Sequence, residues 1–109
     1  MSVLNDEKEI VDLIKDNEMT VVYFTGMVCG ACEAVKEKIE HILKKYPKNK
    51  YAEVNGENNA KIAAKYEAYL LPVCLVFTEG KEALRIGRNI DLAGFEDNIK
   101  RYYDMLFQQ

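Results

Sequence analysis

At 109 residues, 49% of them apolar, the chain is long enough to bury one core without help from staples, and a single domain over residues 1–109 is expected. Its 15 basic and 18 acidic side chains give a formal net charge of −3 and are scattered along the whole length; this argues against a basic nucleic-acid face and a polybasic membrane patch, and no apolar run is long enough to cross a bilayer. The start Met1-Ser2-Val3-Leu4-Asn5-Asp6-Glu7 turns acidic at once and lacks a secretory signal, so the three cysteines are expected in a cytoplasmic setting, where a Cys-x-x-Cys is reactive or metal-binding rather than a structural staple.

In chain order, Ile10, Val11, Leu13 and Ile14 recur at helical spacing and predict an amphipathic helix ending near Asn17. Thr20-Val21-Val22-Tyr23-Phe24 is a β-branched and aromatic run broken by Thr25-Gly26, the pattern of a buried strand. The stripe Val35, Ile39, Ile42, Leu43 predicts a helix from Ala31 to Tyr46, with Pro47 beyond its end. Tyr51 to Val54 reads as a short strand and Ala60 to Tyr66 as a short helix with its N-cap among Glu57, Asn58 and Asn59. Val73-Cys74-Leu75-Val76-Phe77 is a buried strand, and Thr78-Glu79-Gly80-Lys81 a hairpin turn into Glu82 to Ile86. Asp91 suits an N-cap before the final amphipathic helix marked by Leu92, Phe95, Ile99, Tyr102 and Leu106. The expected order α-β-α-β-α-β-β-α implies a three-layer α/β/α sandwich around a mixed sheet, because parallel neighbours need helical crossovers.

Cys29-Gly30-Ala31-Cys32 falls where the first strand passes into a helix. Unpaired N–H groups and the helix dipole there favour a thiolate, so Cys29 is expected to attack a disulfide. Cys32 follows three residues later, about one turn away, and is placed to resolve the mixed disulfide and close a Cys29–Cys32 pair. The same tetrapeptide could form half of a zinc site, but the remaining ligands do not assemble. His41 lies about 13.5 Å along the helix from Cys32 and half a turn out of phase. Cys74, inside an apolar strand, is better read as an inert core cysteine. No metal or separate cofactor is expected.

With these elements and the two cysteines together, the chain resembles the thioredoxin family over nearly its full length. Leu71-Pro72-Val73 looks like the family's cis-proline signature, and Gly87 matches the glycine that lines the same groove. The resemblance implies that Pro72 faces the cysteines, and that the backbone of Leu71 receives an extended substrate together with a rim of Val28, Gly30, Ala31 and Gly87. Alternatively, Pro72 simply begins a strand and Gly87 ends one. Val28 and Ala31 stand where the family usually has tryptophan and proline.

Tyr23 and Glu53 replace the family's buried aspartate and the lysine on the next strand. One reading makes them a substitute pair: the tyrosine hydroxyl donates to the glutamate, and Glu53, without a lysine neighbour, accepts the Cys32 proton. In the other, Tyr23 fills core and Glu53 reaches solvent. The implied activity is reduction of protein disulfides, with a thioredoxin-reductase-like electron donor and a monomeric state. Oxidase or isomerase duty, or a non-catalytic binding module, are the alternatives.

Overall fold

The computed structural model describes residues 2–26, 30, 32–87 and 91–107. A two-residue strand β1 (Ser2–Val3) precedes helix α1 (Glu7–Asp16), strand β2 (Met19–Thr25), helix α2 (Cys32–Leu43), strand β3 (Lys50–Asn55), helix α3 (Ala60–Lys65), strands β4 (Val73–Thr78) and β5 (Lys81–Ile86), and helix α4 (Leu92–Phe107). The strands form one sheet in the order β1-β3-β2-β4-β5. β1, β3 and β2 run parallel, and β4 and β5 are antiparallel additions. Helices cover both faces, giving the α/β/α sandwich.

Local chemistry explains most boundaries. The Asp6 carboxylate accepts the Lys8 N–H at 3.3 Å and opens α1. The Asn17 side chain donates to the Leu13 carbonyl at 2.8 Å as that helix ends. The Asp91 Oδ1 accepts the Gly94 N–H at 3.1 Å in the first turn of α4. At the tip of the β4–β5 hairpin, Glu79 and Gly80 take φ of 51° and 83°. Those left-handed values match the twist of the flanking strands in a two-residue turn.

Two differences from expectation exceed a single residue at an element's end. β1 adds a leading element that no periodicity announces; it is a strand only because Ser2 and Val3 lie in parallel register with Ala52 and Glu53. α2 stops at Leu43 instead of Tyr46, because the chain tightens into turns in which Lys45 N–H donates to Ile42 and Tyr46 N–H to Leu43.

β2, central and covered on both sides, is buried from Met19 to Phe24. Its side chains divide between two cores. Val22 and Phe24 pack with Ile10, Ile14, Ile62 and Leu75. Met19, Val21 and Tyr23 pack with Ile39, Cys74, Phe95 and Ile99. The aromatic tail of α4 is largely absorbed by the second core, where Tyr102, Tyr103, Leu106 and Phe107 pack at its margin.

Candidate active site

Phe24 on β2 lies opposite Val73 on β4, so the chain running on toward the cysteines and the chain running back to Pro72 leave the sheet at one edge. Cys32 opens α2 at that edge and is only 2% exposed. Val28, Cys29 and Ala31 lie outside the described residues. Gly30 is exposed, with nothing within 4 Å of where a β-carbon would stand.

The Leu71–Pro72 peptide bond is cis. The Leu71 side chain packs between two glycines: a β-carbon at Gly26 would stand 3.0 Å from its Cδ1, and one at Gly56 3.1 Å from its Cδ2. At Gly26 that carbon would also come 2.5 Å from Glu57 Oε1, so a side chain there would displace the ends of the Glu57 and Leu71 side chains. Gly87 lies beside Pro72, whose carbonyl oxygen would be 3.9 Å from an added β-carbon.

Outward from Gly87 runs a groove of about 520 Å³, lined by Tyr69, Leu70, Val73, Ile86 and Gly87. Tyr69 and Leu70 are 68% and 77% exposed, a consecutive apolar pair just before Leu71. Arg85 holds the far wall in place by donating to the Glu67 and Tyr66 carbonyls at 3.0 and 2.6 Å while pairing with Glu82.

Beneath the cysteine edge one row of residues crosses all five strands on the α2/α4 side: Val3, Glu53, Tyr23, Cys74 and Ile86. Tyr23 and Glu53 are therefore neighbours, yet the expected hydrogen bond between them is not the one formed. The phenol has one hydrogen, and it is donated to the Cys32 carbonyl at 2.8 Å. Glu53 does not reach solvent either, being 9% exposed. Nor does it lack a lysine: Lys36 of α2 brings its Nζ within 3.1 Å of Glu53 Oε1. This lysine was missed because the ion pair joins elements far apart in sequence, although its place four residues after Cys32 puts both on one helix face. Gly56, Tyr69 and Leu70 also escaped the sequence reading, which took Gly26 only as the break of a strand.

Burial pushes the Tyr23 phenol and the Cys74 thiol upward, so both stay protonated at neutral pH. Cys74 is fully buried and free, as befits a core cysteine. The hydrogen bond to Glu53 raises Lys36. His41 is exposed on α2, and among the described residues no group of three or more His, Cys, Asp or Glu could hold a metal. No helix among them is long and apolar enough to cross a membrane.

A helix-leading buried cysteine beside a cis-proline loop, on a five-stranded mixed sheet clad by helices, defines a protein of the thioredoxin fold. Among the solved structures that share it are mitochondrial thioredoxin 3 of Saccharomyces cerevisiae in its oxidised form (TM-score 0.82, 22% identity, covering 93% of this chain and 94% of that one) and Fasciola hepatica thioredoxin (TM-score 0.78, 28% identity, covering 94% and 99%). The chain belongs to the thioredoxin family, whose model, described as Thioredoxin, matches residues 2–101. Among curated proteins it is similar to the thioredoxin-like protein YdfQ of Bacillus subtilis, with 28% identity over 103 residues, 94% of this chain and 92% of that protein. Family and fold together support a thiol-disulfide oxidoreductase kind of function.

Proposed function

We propose that the chain reduces protein disulfides through a reversible Cys29/Cys32 dithiol–disulfide cycle. The observation that carries this reading is Cys32 itself: buried at the first turn of α2, its carbonyl held by Tyr23, at the same sheet edge as the cis-proline loop. In the cycle the Cys29 thiolate attacks one sulfur of the substrate disulfide, that S–S bond breaks, and the other substrate sulfur leaves as a thiolate that takes a proton from water. Cys32 then gives up its proton, with Glu53 as acceptor directly or through one water, and attacks the Cys29 sulfur. The second substrate thiol departs, two electrons have passed to the substrate, and the pair is left oxidised.

A thioredoxin-reductase-like donor of two electrons, in a reducing cytoplasmic setting, would return the dithiol. Pro72 and the Leu71 backbone would receive the substrate as an added strand, with Val28, Gly30, Ala31 and Gly87 as rim and the groove at Tyr69 and Leu70 continuing it. The replacement of the family proline by Ala31 bears on the potential, and a redox-buffer titration of the pair would separate reductase from oxidase or isomerase duty.

The decisive experiment is insulin reduction with dithiothreitol as electron source. Cys29→Ser should abolish turnover, and Cys32→Ser should accumulate mixed disulfides with substrate. No turnover by the wild type, with no mixed disulfide trapped in Cys32→Ser, would leave only a binding module.

A further inference from the structure

Glu53 is the one charged side chain that the fold buries among the described residues. Its counter-charge, Lys36, stands one helical turn beyond Cys32 on the same face of α2. Lys36 Nζ lies 3.1 Å from Glu53 Oε1 and 3.6 Å from Glu33 Oε1. Exposure of the three side chains falls along this series, from 74% at Glu33 through 23% at Lys36 to 12% at Glu53. The three charges alternate in sign and lead from open solvent to the floor beneath the Cys32 turn.

We propose that Lys36 is a positioning residue for thiol exchange: it supplies the counter-charge that orients the Glu53 carboxylate beneath the Cys32 turn, and through Glu33 it connects that carboxylate to solvent. The inference rests on the reading of Glu53 as acceptor of the Cys32 proton. A carboxylate this buried is costly to ionise without a cation in contact, and truncating the cation leaves the full cost exposed. Among the described residues no other cation pairs with it. β2 presents the Tyr23 phenol and β3 its own Tyr51, with Cys74 one strand further on. β1 contributes only Val3. The remaining charges near Lys36 on α2 are the acidic Glu33 and Glu40. Tyr23 cannot substitute as a donor, since its hydrogen is committed to the Cys32 carbonyl.

In the resolving step Cys32 loses one proton and Glu53 gains it, the departing substrate thiolate takes a proton from water, and water recovers the Glu53 proton before the next turnover. Without Lys36 the acceptor loses its counter-charge and its orientation, and the second thiol step slows on the acid side.

The test uses the reduced protein and a small aromatic disulfide, dithiobis(nitrobenzoate), which releases one chromophoric thiolate when Cys29 attacks and a second when Cys32 resolves. The rate of the second release is followed from about pH 5 to pH 8. For Lys36→Met, and for Lys36→Gln as a second variant in case the first unfolds, the acid midpoint should rise by about one pH unit, making the step roughly tenfold slower near pH 6. Lys36→Arg should restore the wild-type profile, and Glu33→Gln should shift it by less than Lys36→Met.

A Lys36→Gln profile that coincides with wild type while Glu53→Gln alters it would overturn the role of Lys36. If Lys36→Arg shifts as far as Lys36→Met, the lysine only fills space and the inference fails. An unaltered Glu53→Gln profile would instead remove the acceptor, and with it the basis of the proposal, while two-step release itself would still show the Cys29/Cys32 cycle at work. An unchanged Glu33→Gln profile would refute the route to solvent.

Discussion

The two faces of the central sheet are built from the same strands and differ in chemistry. On the α1/α3 side Val22, Phe24, Val54 and Leu75 form an apolar layer, at whose margin the buried Thr20 hydroxyl donates to the Leu13 carbonyl at 3.3 Å. On the α2/α4 side the row Glu53-Tyr23-Cys74 places a carboxylate, a phenol and a thiol next to one another in a comparably buried layer. An apolar layer stabilises by area alone, at about 25 cal/mol per Å². A polar one calls for partners, and here those of Tyr23 and Glu53, the Cys32 carbonyl and Lys36, both belong to the helix that begins at the cysteine, while the buried Tyr51 hydroxyl on the same face finds none among the described residues. One face holds the fold together; the other ties the fold to the site.

The largest separation of the two faces should come from Phe24→Ala. Phe24 is fully buried, its ring centroid 6.1 Å from that of Tyr66, and truncation should cost about 3–5 kcal/mol in urea unfolding. The activity of the folded fraction should be nearly unchanged. A large loss of activity per folded molecule would break the division of labour.

Next in size is alkaline stability. Tyr23, Tyr51 and Cys74 are all raised by burial, so the native chain keeps protons that the unfolded chain releases from about pH 9 for the thiol and 10 for the phenols. The unfolded state then binds fewer protons than the native one, and stability, fully present below that range, falls as pH rises. Each group adds a slope of about 1.4 kcal/mol per pH unit once ionised in the unfolded chain. Denaturation curves for Cys74→Val between neutral pH and about 10.5 should show a shallower decline than wild type; an equal decline would remove the thiol from the comparison.

The smallest effect belongs to Tyr23→Phe, which deletes only the bond to the Cys32 carbonyl. Its expected cost is about 1 kcal/mol, with the fold retained. A cost near zero would make the phenol mere filling.

Much of this architecture was readable in the sequence. Runs such as Val21-Val22-Tyr23-Phe24 and Val73-Cys74-Leu75-Val76-Phe77 are too β-branched and too continuous for amphipathic helices, and they became the two central strands. Pro72 could be placed through its family pattern. Lys36 could not, because an ion pair between α2 and β3 depends on how a helix is laid over a sheet, which neither segment encodes alone. The destination of the Tyr23 hydrogen was likewise a matter of which acceptor tertiary packing brought nearer. β1 was invisible because two residues carry no period.

The position of Leu71 has a practical consequence. Its isobutyl group is a spacer between the end of β2 at Gly26 and the β3–α3 loop at Gly56, so the bulk at position 71 sets how far apart those loops stand. Redesign of substrate preference therefore belongs at the outward-facing Tyr69 and Leu70, which can change size without disturbing the frame. A larger residue at 71 would press on both glycines at once, whereas a side chain at 26 would meet only the ends of the Leu71 and Glu57 side chains.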